Sequence, residues 1–460
     1  MALHSVAGPT LHGVCMARFV GRHIAPEMLG LWLLELVLSF LLAYAFLIAG
    51  SSGPLLQIPV ANHAIVFALT IGIAAFTVGL YRPEAFSRVR SLFINTALGG
   101  LLVFPATWFV SKALGLSSYW PVGYDALRPV KIVAVWIGAL FVVRLMFFVA
   151  VRSNMFVHRV AVLGTPSEVS GTVAAVRAAR KGFFEVVCAP FEGCDPAELR
   201  LAKVHSAVFG SPAPSVLQPH LHEAFYKNGI RIELESVFWE RCLKRVDIAN
   251  LDERWFADLG QGRGNVVLAA LYRGGDIVTS ICFLLVTLPL MVMVALAVRF
   301  DSPGPVLYRQ ERVGLHGRPF TLLKFRSMRN DAEARGPAWA QQRDPRVTRI
   351  GSFMRRTRID ELPQLWNILC GQMSFIGPRP ERPHFVEKLA EVIPYYGERA
   401  RVKPGLTGWA QVNYPYGASV EDAEAKLSYD LYYVKNRSPL LDVLILFATV
   451  RVILFQEGSR

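Results

Sequence analysis

Five stretches of this chain are apolar over lengths close to the roughly 20 residues that a helix needs to cross a bilayer, and this constrains the fold more than any other feature. Four of them, Met28 to Gly50, Ala64 to Leu80, Leu92 to Val110 and Ile132 to Val151, fall in the first 155 residues, and Asp276 and Arg299 enclose the fifth. A composition with 53% hydrophobic residues fits a membrane protein rather than a soluble enzyme. Arg18, Arg22 and His23 precede the first run, Arg82, Arg88 and Arg90 follow the second, and Arg152 and Arg159 follow the fourth. The connection from Ser51 to His63 carries no Lys or Arg, while the third, with Lys112, Arg128 and Lys131 against Asp125, votes weakly. The positive-inside rule therefore places both ends of this four-helix set in the cytoplasm. The first run is too long and lies too far in to read as a cleavable signal. Glu35 and Arg144 interrupt apolar runs. A charge facing the bundle or snorkelling to an end is favoured over an intramembrane functional charge.

From His158 the pattern changes to short β-branched runs alternating with helical stretches. Val160 to Leu163, Glu185 to Cys188, Val204 to Phe209 and Arg231 to Glu235 read as strands, with helices near Val169 to Arg180, Pro196 to Ala202 and Pro214 to Asn228. Such alternation implies a small parallel sheet. The first strand ends at Gly164, but Pro166 and Val169 stand where a dinucleotide-binding turn would want glycines. Close approach of the backbone to a pyrophosphate is not supported, and a structural or regulatory domain is favoured.

The fifth run, taken as a spanning helix, would carry everything after it across the membrane. Between Arg299 and Lys403 stand 20 Lys or Arg against 11 Asp or Glu, the balance of a cytoplasmic segment. Pro289, near the middle of the run, removes one backbone hydrogen bond and can break the helix. A re-entrant hairpin over 276–299, entering and leaving by one face, satisfies both observations; an ordinary fifth span with a tolerated proline is the alternative. Formal net charge is +14, but no basic helix interleaved with aromatics points to nucleic acid. The six cysteines, at positions 15, 188, 194, 242, 282 and 370, form no CxxC pair, which argues against zinc and disulfides. Pro439 to Phe455 is apolar but short and carries Asp442 and Arg451, so it reads as interfacial or core-packed.

The chemistry concentrates after Asp301. Val306 to Arg309 and Phe320 to Phe325 look like short strands joined through Gly314 and Gly317, and Lys324 and Arg326 alternate with Phe325, placing two cations on one face. Asp360 and Glu361 then precede Leu362 and Pro363 and a helically spaced apolar run, so the pair sits at or near a helix N-terminus. Alone, Asp360 reads as an N-cap and Glu361 as a first-turn acid. Flanked by Arg355, Arg356, Arg358, Arg379 and Arg382, the pair points instead to phosphate. Guanidinium forks match phosphate oxygens, a carboxylate can hold a metal or attack phosphorus, and helix amides favour anions. Gly377-Pro378-Arg379-Pro380 forms a rigid loop that can return an arginine to the same anion, and Lys403 to Tyr414 adds a turn-rich segment suited to a nucleotide or sugar.

The sequences KFRSM, RIDELPQLWNIL, GQMSFIGPRPERP, KPGLTGWAQVNYPYGASVEDA and KLSYDLYYVKN, in this order from Lys324 to Asn436, closely resemble the bacterial sugar transferase family of polyprenyl-phosphate hexose-1-phosphate transferases. The PERP and YPYGASVEDA variants look most like its exopolysaccharide branch associated with exosortase systems. The resemblance implies a membrane protein of mixed α and α/β class. Its parts are an N-terminal four-helix transmembrane bundle (1–155), a degenerate Rossmann-like α/β domain (156–265) and a C-terminal re-entrant-helix phosphoglycosyl transferase domain (266–460).

It also implies a bacterial inner-membrane location with the catalytic domain in the cytoplasm, UDP-hexose and undecaprenyl phosphate as substrates, and Mg²⁺ as cofactor. Asp360 would attack the β-phosphate, Glu361 would help hold Mg²⁺, Arg355 and Arg379 would bind phosphate, and Lys324, Arg326 and Gln364 are further candidates on the substrate phosphates. Two departures stand out. Leu288 precedes Pro289 where minimal relatives often have serine, so Thr287 is a candidate to support the break. Gln372 replaces an acid found in many relatives, which argues against a metal role there. Membrane lipid is an expected partner, and self-association as a homodimer through the N-terminal helices or the α/β module is compatible with the pattern. No residue set can be tied to the sugar hydroxyls. The competing readings are a catalytically degenerate membrane sensor or assembly protein of polysaccharide export and an NAD-dependent sugar-modifying enzyme. Retention of the acid pair, arginines and GPRP loop opposes the first, and the missing glycines oppose the second.

Overall fold

In this computed structural model, helices α1 (Pro26–Ile48), α2 (Ile58–Val78) and α3 (Arg128–Arg152) form from the first, second and fourth apolar runs. The structure describes residues 26–48, 58–78, 80–81, 86, 89, 92–93, 96, 128–153, 155–164, 170–174, 176, 184–189, 195–209, 219–251, 255–256, 259, 266–329, 344–415, 417 and 419–455. Most of the third apolar run, Leu92 to Val110, therefore lies outside the described residues, as does the turn after Gly164. Two compact units divide the chain, Met1–Leu243 and Lys244–Arg460.

In the first unit, the outward residues of the helices are apolar, as a lipid-facing surface requires, while Glu35 and Arg144 point inward. The Arg144 guanidinium donates to both Glu35 oxygens at 2.7 Å, Tyr81 donates to Glu35 Oε2 at 2.6 Å, and Arg144 also reaches Thr96 at 3.3 Å. These charges face the bundle and neither snorkels. Each polar atom without a partner in an apolar setting would carry a desolvation penalty, which the mutual pairing offsets.

The α/β module of the same unit consists of β1 (His158–Leu163), β2 (Phe184–Ala189), α4 (Pro196–Leu201), β3 (Ser206–Phe209), α5 (Pro219–Lys227) and β4 (Arg231–Leu234), followed by the single turn α6 (Glu235–Phe238). All strand pairs are parallel, in the order β2-β1-β3-β4. The expected parallel sheet is therefore present, with strand limits moved by one or two residues. Val160, Val162 and Val208 pack on one face, and Ala161, Leu163, Ala207 and Phe209 on the other, so both faces of the sheet are covered.

The second unit begins ahead of the boundary expected at 266, because Val246, Ile248, Trp255 and Leu259 pack into its core with Leu431, Tyr432 and Ile445. Its elements are α7 (Val266–Asp301), β5 (Leu307–Val313), β6 (Pro319–Phe325), α8 (Arg349–Thr357), α9 (Gln364–Leu369), β7 (Ser374–Ile376), α10 (Pro383–Val392), β8 (Gly405–Thr407), α11 (Trp409–Asn413), α12 (Val420–Asn436) and α13 (Pro439–Phe455). Helix α7 runs for 36 residues with Pro289 inside it. Thr287 Oγ1 donates to the Phe283 carbonyl at 2.6 Å, a back-bond of the kind that favours bending of a helix, two residues ahead of the proline. Helices α1, α3 and α7 are long and apolar enough to cross a membrane. Helix α13 buries Leu441 and Ile445 in the core and leaves Val443, Leu446 and Val450 exposed, which is the core-packed alternative for the tail.

Candidate active site

Antiparallel pairing of β5 with β6 sets Tyr308 opposite Lys324 and Arg312 opposite Phe320. Because side chains alternate along a strand, Tyr308, Gln310 and Arg312 share a face with Lys324 and Leu322. That face meets the acid pair, carried on the short 3₁₀ turn Ile359–Glu361 between α8 and α9. Arg358 adopts the left-handed conformation (φ 59°, ψ 14°) and turns the chain from one helix into the next. The pair thus lies just before a helix, as the sequence indicates, but the amides expected to hold an anion are occupied. Those of Glu361, Leu362, Leu365 and Trp366 donate to the carbonyls of Arg358, Ile359, Leu362 and Pro363, so recognition of an anion falls to side chains.

Asp360 and Glu361 are both buried, yet their surroundings differ. Glu361 Oε1 accepts from Lys324 Nζ at 3.1 Å and Arg379 Nη2 at 2.7 Å, with Arg358 at 3.9 Å. Burial alone would raise its pKa, but Arg379, Lys324 and Arg358 outweigh this and hold the carboxyl well below its usual range. Asp360 takes part in none of these bonds. Burial first, and the adjacent Glu361 charge second, push its pKa up against the opposing influence of Lys324, Arg355 and Arg379. Lys324 is lowered by burial, with Glu361 opposing. Two neighbouring carboxylates are therefore pushed in opposite directions, an arrangement that assigns different tasks to each.

Arg379 is held from behind. Its Nη1 donates to Gln411 Oε1 at 3.2 Å, and its carbonyl accepts from Arg399 Nη2 at 3.0 Å. Arg399 in turn pairs with Asp430 at 2.7 Å and donates to Tyr396 at 2.9 Å. Burial pushes Asp430 up to about 6 despite that arginine. Arg312 Nη1 ties the next residue of the loop, Pro380, through its carbonyl at 2.9 Å. Gly377 and Gly405 let the two loops touch, since a Cβ at either position would collide with the opposing backbone.

Of the sequence candidates, Lys324, Gln364 and Arg379 line one small cleft together with Arg312, Leu322, Pro380 and Gly405. Arg355 reaches Asp360 through its charge and is steadied by a 2.9 Å bond from Nε to Ser327 Oγ. Arg326 is not brought to the pair. It lies past the end of β6, where strand alternation no longer applies, and donates to the carbonyls of Val298, Ser302 and Pro303 at the C-terminus of α7. Gln372 Oε1 accepts from Asn367 Nδ2 at 2.7 Å, and Asn367 also bonds Thr321 and Leu323, so this position braces α9 against β6.

Arg312 is the cleft residue that the sequence reading missed. Burial and the nearby Arg379 and Arg382 lower it to about 10, with Glu381 opposing, and its Nε is buried without a hydrogen-bond partner. Its place two residues after Gln310 on a strand paired with the Lys324 strand was the available signal. Among the described residues no group of three or more His, Cys, Asp or Glu converges as a ready metal cage. The donor set fits a divalent cation brought with a diphosphate, because Mg²⁺ is commonly held by one or two carboxylates plus substrate oxygens, and Glu361 Oε2 and the Asp360 carboxylate remain available.

A buried carboxylate pair ringed by Lys324, Arg355 and Arg379 lies in the same unit as α7, a helix long and apolar enough to cross a membrane. Residues 268–456 match the bacterial sugar transferase family. The chain is 43% identical over 189 residues to an exopolysaccharide production protein of Rhizobium leguminosarum, covering 39% of this chain and 93% of that protein. It is 45% identical over 221 residues to the UDP-N-acetylgalactosamine-undecaprenyl-phosphate N-acetylgalactosaminephosphotransferase of Aeromonas hydrophila, covering 48% of this chain and 52% of that relative. Over 182 residues it is 44% identical to the UDP-glucose:undecaprenyl-phosphate glucose-1-phosphate transferase of Escherichia coli, covering 39% of each. The chain belongs to the bacterial sugar transferase family, and it spans about half or less of the length of the Aeromonas and Escherichia relatives.

Proposed function

We propose that this protein transfers a hexose 1-phosphate from a UDP-sugar to undecaprenyl phosphate, the opening step of exopolysaccharide assembly. The observation that carries this reading is the divided acid pair: Lys324 and Arg379 engage Oε1 of Glu361, while Asp360 is buried, unbonded and pushed up in pKa. A more basic, poorly solvated carboxylate is the better nucleophile once ionised. Asp360 would attack the β-phosphorus of the UDP-sugar. The bond from that phosphorus to the bridging oxygen breaks, and UMP leaves with the oxygen. An oxygen of polyprenyl phosphate would then attack the same phosphorus, forming polyprenyl diphosphate sugar and returning the Asp360 carboxylate. Arg379 and Lys324 orient the diphosphate and balance its charge, Arg355 does so from the Asp360 side, and Gln364 and Arg312 line the approach. Mg²⁺, held by Glu361 with substrate oxygens, would neutralise charge on the diphosphate.

The membrane arrangement belongs to the same proposal: four N-terminal spans, and α7 entering and leaving the inner membrane by its cytoplasmic face. Support comes from the contacts of α7 along its length. Arg273 donates to the carbonyls of Ile368 and Leu369, Asp276 accepts from Ser374, Leu284 packs beside Leu322 and Leu365, and Met291, Val294 and Val298 pack beside Phe325 and Met354. A helix crossing the hydrocarbon would keep roughly 20 residues clear of an aqueous domain. The test is incubation of membranes with UDP-hexose labelled at the β-phosphate, first without and then with undecaprenyl phosphate. Label should appear on the wild-type protein and pass to lipid; an Asp360→Asn variant that still labels lipid would sink the mechanism. A tag placed after Arg460 and reachable only from the periplasm would sink the re-entrant path.

A further inference from the structure

A second polar cluster lies at the opposite end of α9 from the acid pair, where α7 meets the junction of α12 and α13. Tyr272, Arg273 and Asp276 come from α7, Lys403 from the loop before β8, Arg437 from the turn between α12 and α13, and Asp442 from α13 itself. Three of these groups are already engaged. Arg273 caps α9 through the carbonyls of Ile368 and Leu369 at 2.7 and 2.6 Å. Asp276 accepts from Ser374 Oγ at 3.0 Å and the Phe375 amide at 3.1 Å, and Asp442 accepts from Tyr433 at 2.9 Å.

Of the other three, Tyr272 and Arg437 hold buried donors that lack an acceptor, and Lys403 lies beside them. The Arg437 guanidinium lies 4.1 Å over the Tyr272 ring, and both its Nε and the Tyr272 hydroxyl are buried without a hydrogen-bond partner. The Lys403 ammonium is lowered by burial and by repulsion from Arg273 and Arg437, with Asp276 opposing. A donor surplus in this state is completed by an anion with several acceptor oxygens. The flanks are apolar and exposed: Leu271 on α7, Val443 and Leu446 on α13. Cations and a tyrosine hydroxyl bordered by lipid-facing apolar helices form the chemistry of a membrane-interface anion site.

We infer that Lys403, Arg437 and Tyr272 bind the anionic phosphate head group of a membrane lipid, whose chain lies along the exposed apolar residues of α7 and α13. The site is separate from the acid pair and does not depend on the transfer reaction. To test it, the full-length protein is placed in phosphatidylcholine vesicles containing a trace of either phosphatidylglycerol or phosphatidylcholine with a photoactivatable chain, and the labelled peptides are mapped. Phosphatidylglycerol should label peptides containing Leu271 or Val443 in clear preference to phosphatidylcholine. Arg437→Gln and Lys403→Gln should each reduce that labelling by about fivefold, the effect of one interfacial cation. Tyr272→Phe, which keeps the ring stack, should give a smaller loss, and Arg437→Lys should restore part of the signal.

Equal labelling by the two lipids, or wild-type labelling in both glutamine variants, would overturn the inference. Removal of the label by inorganic phosphate would overturn it as well, by assigning the site to a free anion. Displacement by unlabelled polyprenyl phosphate at parity with the probe would support it and name that lipid as the occupant. Asp360→Asn should label like the wild type while transferring nothing, so failure here is distinguishable from failure of the proposed reaction.

Discussion

The N-terminal bundle and the C-terminal unit each bury a carboxylate against arginine, and the two clusters are finished differently. Both oxygens of Glu35 are engaged, one by Arg144 and the other by Arg144 and Tyr81, and the charges cancel within one closed set. At the acid pair, Lys324 and Arg379 crowd a single oxygen of Glu361, and Asp360 beside it is left without a bond. A closed set holds helices in register, whereas an open one retains charge for a substrate. Each half of this contrast can be broken separately.

The largest effect is expected at the open set. Asp360→Asn keeps the shape and removes the proposed nucleophile, so transfer should fall by about 10³-fold or more, with no label retained on the protein. Measurable turnover within tenfold of wild type would place the reacting group elsewhere. At the closed set, Arg144→Met leaves Glu35 buried and unpaired and should cost about 3–5 kcal/mol of stability, while adding Glu35→Leu should recover most of it. Thermal unfolding in detergent reads both, and a double variant no more stable than the single one would contradict the closed-pair account. Arg379→Lys keeps a charge but loses the fork that reaches Glu361 and Gln411 together. A drop of about 10- to 100-fold in kcat/KM is expected, with folding unchanged.

Much of this contrast was legible in the residues, and the remainder failed for identifiable reasons. The four parallel strands were found because their buried runs are short, β-branched and separated by helical spacing. Arg355 and Arg358 stand within six positions of Glu361, so their proximity to the pair was guaranteed, whereas Arg379 returns from 18 positions away. Arg326 was misplaced because a two-residue period was extended past Phe325, where β6 stops. Arg312 and Arg399 reach the Arg379 loop from distant elements, through the carbonyls of Pro380 and Arg379, and no local pattern announces such a bond. Glu35 and Arg144 were seen as charges in apolar runs, but their partnership spans 109 positions and required the fold.

The smallest effect is also the one that distinguishes the two acids most sharply, because their pKa shifts have opposite signs. Asp360 is raised above its ordinary 3.8, chiefly by burial, so its protonated form stabilises the fold at low pH. That contribution is lost as pH rises through the raised value, above which the buried carboxyl is charged. Glu361 is depressed below its ordinary 4.5 by Arg379 and Lys324. Its contribution is present above 4.5 and is lost only as pH falls through the depressed value. At neutral pH, Asp360→Asn should therefore raise the unfolding temperature while abolishing transfer, and Glu361→Gln should lower it by leaving Lys324 and Arg379 without their anion. Wild-type transfer should fall on acidification at a pH above that of an ordinary aspartate, as the Asp360 carboxylate takes up its proton. Thermal unfolding of both variants at neutral and acidic pH, beside the wild-type rate profile, measures all three signs. Shifts in the same direction for the two variants would mean that the acids share one environment, and the separation of nucleophile from cation anchor would fail.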